Sequence, residues 1–162
     1  MKHSKGFRIL LAAMAILFVI GESPALVQAA QLNVVKPPVA DRDLVLQITE
    51  ITENATFYPV DIEGTRLEVL AVKAPDGTIR TAFNTCQACY SSGKAFFKQE
   101  GTVLVCQNCR QRFRMGQVGV QSGGCNPVPI FPRNTVVSDT SITIPKDFLK
   151  EAKTIFARWK RG

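Results

Sequence analysis

Histidine is almost absent from this sequence of 162 residues, and the single one, His3, lies at the very start. The rest of the chain therefore has no imidazole to act as a general base or to bind a metal. This excludes nucleophilic catalysis assisted by histidine, blue-copper sites, haem held by a histidine and catalytic zinc sites rich in histidine. Chemistry in this chain has to be carried by other side chains.

Other signs of an active site are missing as well. Acidic residues such as Asp61, Glu63 and Glu68 are scattered and show no paired arrangement suited to acid–base catalysis. The formal net charge is +7, but no dense basic stripe with interleaved aromatic residues is present, so nucleic acid is not expected as a partner. The sequence favours a binding or redox module over an enzyme.

Long apolar runs are missing too. The longest, from Ile9 to Ile20, falls short of the roughly 20 residues that a membrane-spanning helix needs. Because basic residues precede it and Ala29 follows at a site suited to cleavage, residues 1–29 are interpreted as a signal peptide. An uncleaved N-terminal anchor is the alternative. In both cases we expect an exported, periplasmic or otherwise extracytoplasmic protein.

The chain beyond this leader has the pattern of one mainly β domain. Residues 30–43 contain Pro37-Pro38 and no periodicity, which predicts a linker or an extended edge segment. Residues 44–162 alternate between short apolar runs and turns, which predicts small antiparallel sheets. The predicted strands are LVLQIT, TFYPVDI, RLEVLAVK, TIRTAF, AFFKQ, TVLV, RFRM, QVGV and SITI.

The end of the chain predicts an amphipathic α-helix over residues 145–160. Pro145 suits the first turn of a helix. Apolar residues then recur at helical spacing, at Phe148, Leu149, Ala152, Ile155, Phe156 and Trp159. We expect this stripe to pack on the domain. Contact of the helix with a membrane surface or a partner is the alternative.

Cysteine dominates what is present. The five cysteines, Cys86, Cys89, Cys106, Cys109 and Cys125, fall within forty residues. The first four have the spacing C-x2-C-x16-C-x2-C, in which two tight turns joined by a hairpin can bring four thiols together. This spacing predicts a tetrahedral site with Cys86, Cys89, Cys106 and Cys109 as ligands. Zinc, a single iron and an iron–sulfur cluster all suit such a site.

Cys125 lies in a separate loop, after two glycines and before Asn126-Pro127. Because glycine permits close backbone approach, we expect its thiol near the site, as an accessory ligand, a redox partner or a cap. A small buried apolar residue is the alternative. Three arginines at 110, 112 and 114 flank the second pair and either offset thiolate charge or are solvated.

The stretch from Arg80 to Ile130 resembles the FtrD-like family, bacterial membrane proteins that contain iron and sulfur and are associated with iron transport. Both cysteine pairs, Arg112-Phe113 and the GGCNP run at 123–127 carry the likeness. It implies iron or an iron–sulfur centre on the four cysteines, electron transfer, and a redox partner or an iron-transport membrane protein as partner.

A more distant likeness is to Rieske domains, in which two loops joined by a hairpin each supply a pair of ligands. Rieske loops supply one cysteine and one histidine each, whereas this chain supplies cysteine alone. Four thiolates add negative charge to a cluster and lower its potential. The expected fold is therefore mainly β, like a Rieske domain or a zinc ribbon, with a two-turn cysteine site and a C-terminal helix.

These patterns together predict an exported iron or iron–sulfur protein that transfers electrons in connection with iron transport. A structural zinc ribbon is one alternative, because its ligand spacing is the same. A thiol–disulfide redox protein is another, because oxidising compartments favour disulfides, although an odd number of cysteines fits it poorly.

Overall fold

Eleven short strands account for most of the regular structure in residues 36–161, the part of the chain that the computed structural model describes. The strands are β1 (Val39–Ala40), β2 (Leu44–Gln47), β3 (Thr56–Ile62), β4 (Thr65–Lys73), β5 (Ile79–Cys86), β6 (Phe97–Glu100), β7 (Val103–Cys106), β8 (Arg112–Arg114), β9 (Pro127–Ile130), β10 (Val136–Val137) and β11 (Ser141–Ile144). Two helices follow, α1 (Lys146–Glu151) and α2 (Lys153–Phe156). The prediction of a mainly β protein with small antiparallel sheets is confirmed.

The largest sheet has five strands in the order β1-β3-β4-β5-β9. A tight turn joins β3 to β4, and both of its central residues, Glu63 and Gly64, have positive φ, as the turns that match strand twist require. At the far edge β9 pairs antiparallel with β5, and an irregularity between Phe83 and Cys86 shifts the register so that Cys86 lies opposite Pro127. This pairing brings the end of β5 beside the loop that precedes β9.

Two smaller sheets complete the fold. In one, the order is β6-β7-β8, and Phe97 of β6 lies opposite Cys106 of β7. In the other, the order is β10-β11-β2, with Ile142 opposite Leu46. The first of these sheets carries the second cysteine pair, and the second joins the two ends of the described chain.

The five-stranded sheet is buried on both faces. Successive residues of β4 point to opposite sides, as the pleat requires. Val69 and Ala71 belong to a core that includes apolar residues of the helices, whereas Leu70 and Val72 belong to a second core with the β6-β7-β8 sheet. The near-continuous apolar run of β4 follows from this double burial.

The C-terminal helix differs from its prediction. The single helix expected over 145–160 is two short helices that are separated at Ala152 and end at Phe156. The apolar stripe packs on the domain, with Leu149 and Phe156 buried in the first core and the Phe156 ring 5.8 Å from that of Phe83. Among the described residues, no helix has the length and apolarity to span a membrane.

Part of the segment predicted as a linker or an extended edge segment forms the edge strand β1, which pairs in parallel with β3. Two other boundaries differ from expectation. The QVGV strand is not formed, because Met115–Gln117 is a 3-10 turn. The loop expected through Pro127 gives way to β9, whose two prolines lack N–H donors and suit a strand at the sheet edge. The predicted signal peptide, 1–29, lies outside the described residues.

Shortening the fully buried Leu149 to alanine should cost about 2–5 kcal/mol of unfolding free energy, because it removes apolar contacts and leaves a cavity between α1 and the sheet. Urea denaturation followed by circular dichroism measures the loss. Val45→Ala is the matched control, because Val45 is 49% exposed, and it should change stability by no more than about 0.5 kcal/mol. Equal costs for the two variants would contradict the packing described here.

Candidate metal centre

The first cysteine pair forms a tight turn at the end of β5. Cys86 is the last residue of the strand, and the Cys89 N–H donates to the Cys86 carbonyl at 3.1 Å. The backbone N–H groups of Ala88 and Cys89 also hydrogen-bond to the Cys86 sulfur. Both sulfurs are thereby turned to the same side, with Cys86 buried and Cys89 half-buried.

The second pair repeats this arrangement at the end of β7. Cys106 is the last residue of that strand, and the N–H groups of Asn108 and Cys109 hydrogen-bond to its sulfur. Arg110 closes the turn with a positive φ of 63° and donates its N–H to the Cys106 carbonyl at 3.0 Å. The sequence pattern predicted a tight turn at each cysteine pair, and the structure contains both turns.

Hydrogen bonds between the two turns and the segment before β6 fix how they face each other. The Cys86 N–H donates to the Ala95 carbonyl at 2.7 Å, and the Gln107 N–H donates to the Phe96 carbonyl at 2.8 Å. Because Ala95 and Phe96 are neighbours, a single extended segment holds both turns. The segment between the two cysteine pairs therefore holds the two turns together, as the spacing of the pairs predicted.

A third segment, the loop that carries Cys125, is tied to the first turn. The Gln87 N–H donates to the Asn126 carbonyl at 3.0 Å. The Gln87 side-chain oxygen accepts from the Gly123 N–H at 2.7 Å and from the Asn126 amide at 3.0 Å. Asn126 is buried. No pattern in the sequence indicated that Gln87 binds this loop. Asn126 was noted as part of the loop, but its hydrogen bonds were not predicted.

The five sulfur atoms meet at one place. Those of Cys86, Cys89, Cys106 and Cys125 all lie within 4.8 Å of one another. The Cys125 sulfur is 3.2 Å from that of Cys86 and 2.8 Å from that of Cys109. Cys109 lies outside the group of four and is exposed. The expected proximity of Cys125 is found, while the choice of Cys109 as fourth ligand stays a prediction.

This spacing fits a thiolate-bound metal. Four sulfurs bound tetrahedrally at about 2.3 Å from one ion are separated from each other by about 3.8 Å, within the 4.8 Å limit observed. A donor set made only of thiols selects zinc, iron and iron–sulfur centres over hard cations such as calcium and magnesium. A cluster with several irons would place ligands of different irons further apart than one ion does.

The protonation of the thiols follows their burial. Burial raises the pKa of Cys86 to about 12 and also raises the pKa of Cys106 and of Cys125. At Cys109 slight burial acts in the same direction, but hydrogen bonds from Cys125, the Gln111 backbone and neighbouring thiols lower its pKa to about 7. The metal-free site therefore keeps Cys86, Cys106 and Cys125 protonated and Cys109 partly ionised at neutral pH.

Two of the arginines beside the second pair, Arg110 and Arg112, face an acidic residue. Glu100 accepts from Arg110 at 3.1 Å and lies 3.6 Å from Arg112. These side chains are largely exposed, so their electrostatic effect is weakened by solvent. The backbone N–H groups within the two turns are the better placed stabilisers of thiolate charge.

A buried amide connects the metal-site strands to the end of the chain. The Asn84 side chain accepts from the Phe97 N–H at 2.8 Å and donates to the Phe97 carbonyl at 3.2 Å, which joins β5 to β6. The Trp159 indole N–H donates to the Asn84 carbonyl at 2.8 Å. The segment after α2 therefore braces the strand that ends at Cys86.

Comparison with known proteins agrees with this donor set. A family model described as "Membrane iron-sulfur containing protein FtrD-like" matches residues 51–156, which include all five cysteines. Neither a curated protein nor a solved structure matches the chain.

In reduced, metal-free protein, Cys109 should be the first thiol alkylated by iodoacetamide, because it is exposed and its pKa is about 7. The thiolate is the reacting species, so the rate at Cys109 should rise steeply as pH passes through 7, while Cys86 should stay unreactive. Peptide mass mapping over a pH series measures both rates. Faster labelling of Cys86 or Cys106 than of Cys109 would contradict the arrangement.

Proposed function

The chain belongs to the FtrD-like family of membrane iron–sulfur containing proteins, and on this premise we propose that it binds iron, as a single ion or an iron–sulfur cluster, for electron transfer linked to iron transport. The observation that carries the proposal is the convergence of thiols from three separate segments of the chain. Thiol-only sites of this kind suit iron in either form.

The chain's own residues hold and tune such a centre. The cysteines would supply the ligands, and the N–H groups of Ala88 and Asn108 point at the first sulfur of each turn. Hydrogen bonds to the sulfurs are among the features that set the potential of a thiolate-bound iron. Iron bound in this way supplies reversible one-electron chemistry.

Access for a partner is available on the side of Cys109. Its exposed thiol lies beside the buried sulfurs, so an electron donor or acceptor can approach the centre without opening the fold. We propose that the partner is a redox protein or an iron-transport membrane protein. A contact of the C-terminal helix with a membrane surface would have to use its lysines, because the apolar stripe packs on the sheet.

Export remains part of the proposal, from the leader-like residues 1–29 and the membrane association in the family description. An unfolded export route would separate the chain from clusters assembled inside the cell, whereas single ions can be acquired outside. A structural zinc ribbon and a thiol–disulfide protein are therefore the outcomes that the test has to distinguish.

Protein purified without oxygen should contain iron in stoichiometric amount and show visible sulfur-to-iron charge-transfer absorption. Elemental analysis with an absorption spectrum checks this, and a variant with serine at both Cys86 and Cys106 is the matched control that should lose metal and colour. Colourless protein with one zinc would instead support the structural ribbon. Metal-free protein without titratable thiols would support disulfide chemistry.

Removal of the metal should loosen one part of the fold only. Cys86 and Cys106 belong to the second core with the β6-β7-β8 sheet, whereas the first core contains none of the cysteines. Hydrogen exchange should therefore speed up at least about tenfold in β6–β8 after chelation, with little change in β3. Restoring the metal should reverse the effect, and uniform loss of protection would contradict a locally acting site.

A further inference from the structure

We propose that Cys86, Cys89, Cys106 and Cys125 are the metal ligands, and that Cys109 is a fifth thiol outside the coordination sphere. This assignment rests on the proposed function only in taking the site to bind one ion that prefers thiolate ligands. It replaces one member of the set that the C-x2-C spacing predicts. The fourth ligand then comes from the third loop.

The sulfur positions carry this assignment. One tetrahedral ion requires every pair of ligand sulfurs to lie at a similar short distance, about 3.8 Å for bonds of about 2.3 Å. The sulfurs of Cys86, Cys89, Cys106 and Cys125 all lie within 4.8 Å of one another, and that of Cys125 is 3.2 Å from that of Cys86, so small shifts bring all four to this spacing. Cys109 does not belong to that group, although its sulfur lies 2.8 Å from that of Cys125 and hydrogen-bonds to Cys106 and Cys89.

The loop that carries Cys125 is held in place by a buried side chain and its hydrogen bonds. Asn126, directly after Cys125, is 1% exposed, and its amide donates to the Gln87 side chain and to the Gln121 and Pro127 carbonyls. The pairing of Cys86 with Pro127 anchors the other end of the loop on β5. Hydrogen bonds from neighbouring groups orient metal ligands, and this loop supplies such support next to Cys125.

Cys109 has a different environment. It is the exposed member of the five, while the other four thiols are buried or half-buried. Its sulfur lies 2.8 Å from that of Cys125, where either atom can donate. Cys109 is therefore the thiol that solvent reaches, beside the set of four.

Cobalt binding to the full chain tests the assignment, because Co2+ in a four-thiolate site gives intense visible bands whether or not the native metal is iron. C109S should bind one Co2+ with wild-type band intensity. C125S should bind at least about tenfold more weakly and with weakened bands. Serine is close in size to cysteine and serves as the matched replacement at both positions.

A second measurement avoids dependence on the folding of the variants. In cobalt-loaded wild-type protein, one thiol should remain open to alkylation, and peptide mapping should identify it as Cys109. Labelling at Cys125, loss of the bands in C109S, unchanged binding in C125S, or no cobalt binding by the wild type would each overturn the assignment. Absence of iron from the native protein together with the expected cobalt results would refute the proposed function and leave the assignment standing.

Discussion

The crowding of five thiols into one small volume is the constraint on which the site depends. Thiolates this close repel each other, so they cannot all ionise unless a cation lies among them. Burial reinforces the effect by raising the pKa of Cys86 and Cys106. A bound metal reverses this balance, because it stabilises the deprotonated form outright. Without a metal most of these thiols are therefore protonated, whereas a bound metal would convert them to thiolate ligands.

The rest of the fold keeps those thiols together. The five-stranded sheet is covered by the C-terminal helices on one face and by the β6-β7-β8 sheet on the other, so β5 delivers Cys86 from a rigid element. Asn84 joins β5 to β6, and Trp159 joins the end of the chain to Asn84. The first core stabilises the frame by apolar burial, and the second core, which includes Cys86 and Cys106, does the same beside the site.

The sequence alone was sufficient for the features that arise from local pattern. Alternation predicted most strands, and the C-x2-C spacing predicted two turns that face each other across a hairpin. Features that arise from pairing between distant segments could not be predicted from the sequence. The prolines of β9 argue against a strand until the partner β5 is known, and Gln87 gains its role only when the Gly123 loop folds over it. The sequence pattern also did not show the division of the C-terminal helix at Ala152.

The difference between a pair of cysteine turns and the observed site lies in the third segment. Two turns alone offer four thiols that are equally plausible metal ligands. The second cysteine of each turn, Cys89 or Cys109, is more exposed than the first. A loop held by the buried Asn126 adds a half-buried thiol between Cys86 and Cys109. Because a sulfur held by a hydrogen-bonded loop loses less freedom on binding than an exposed one, the proposed assignment favours the loop thiol over Cys109 as a ligand. On the proposed assignment, the exposed Cys109 thiol stays outside the set of ligands, on the side of the site that solvent reaches.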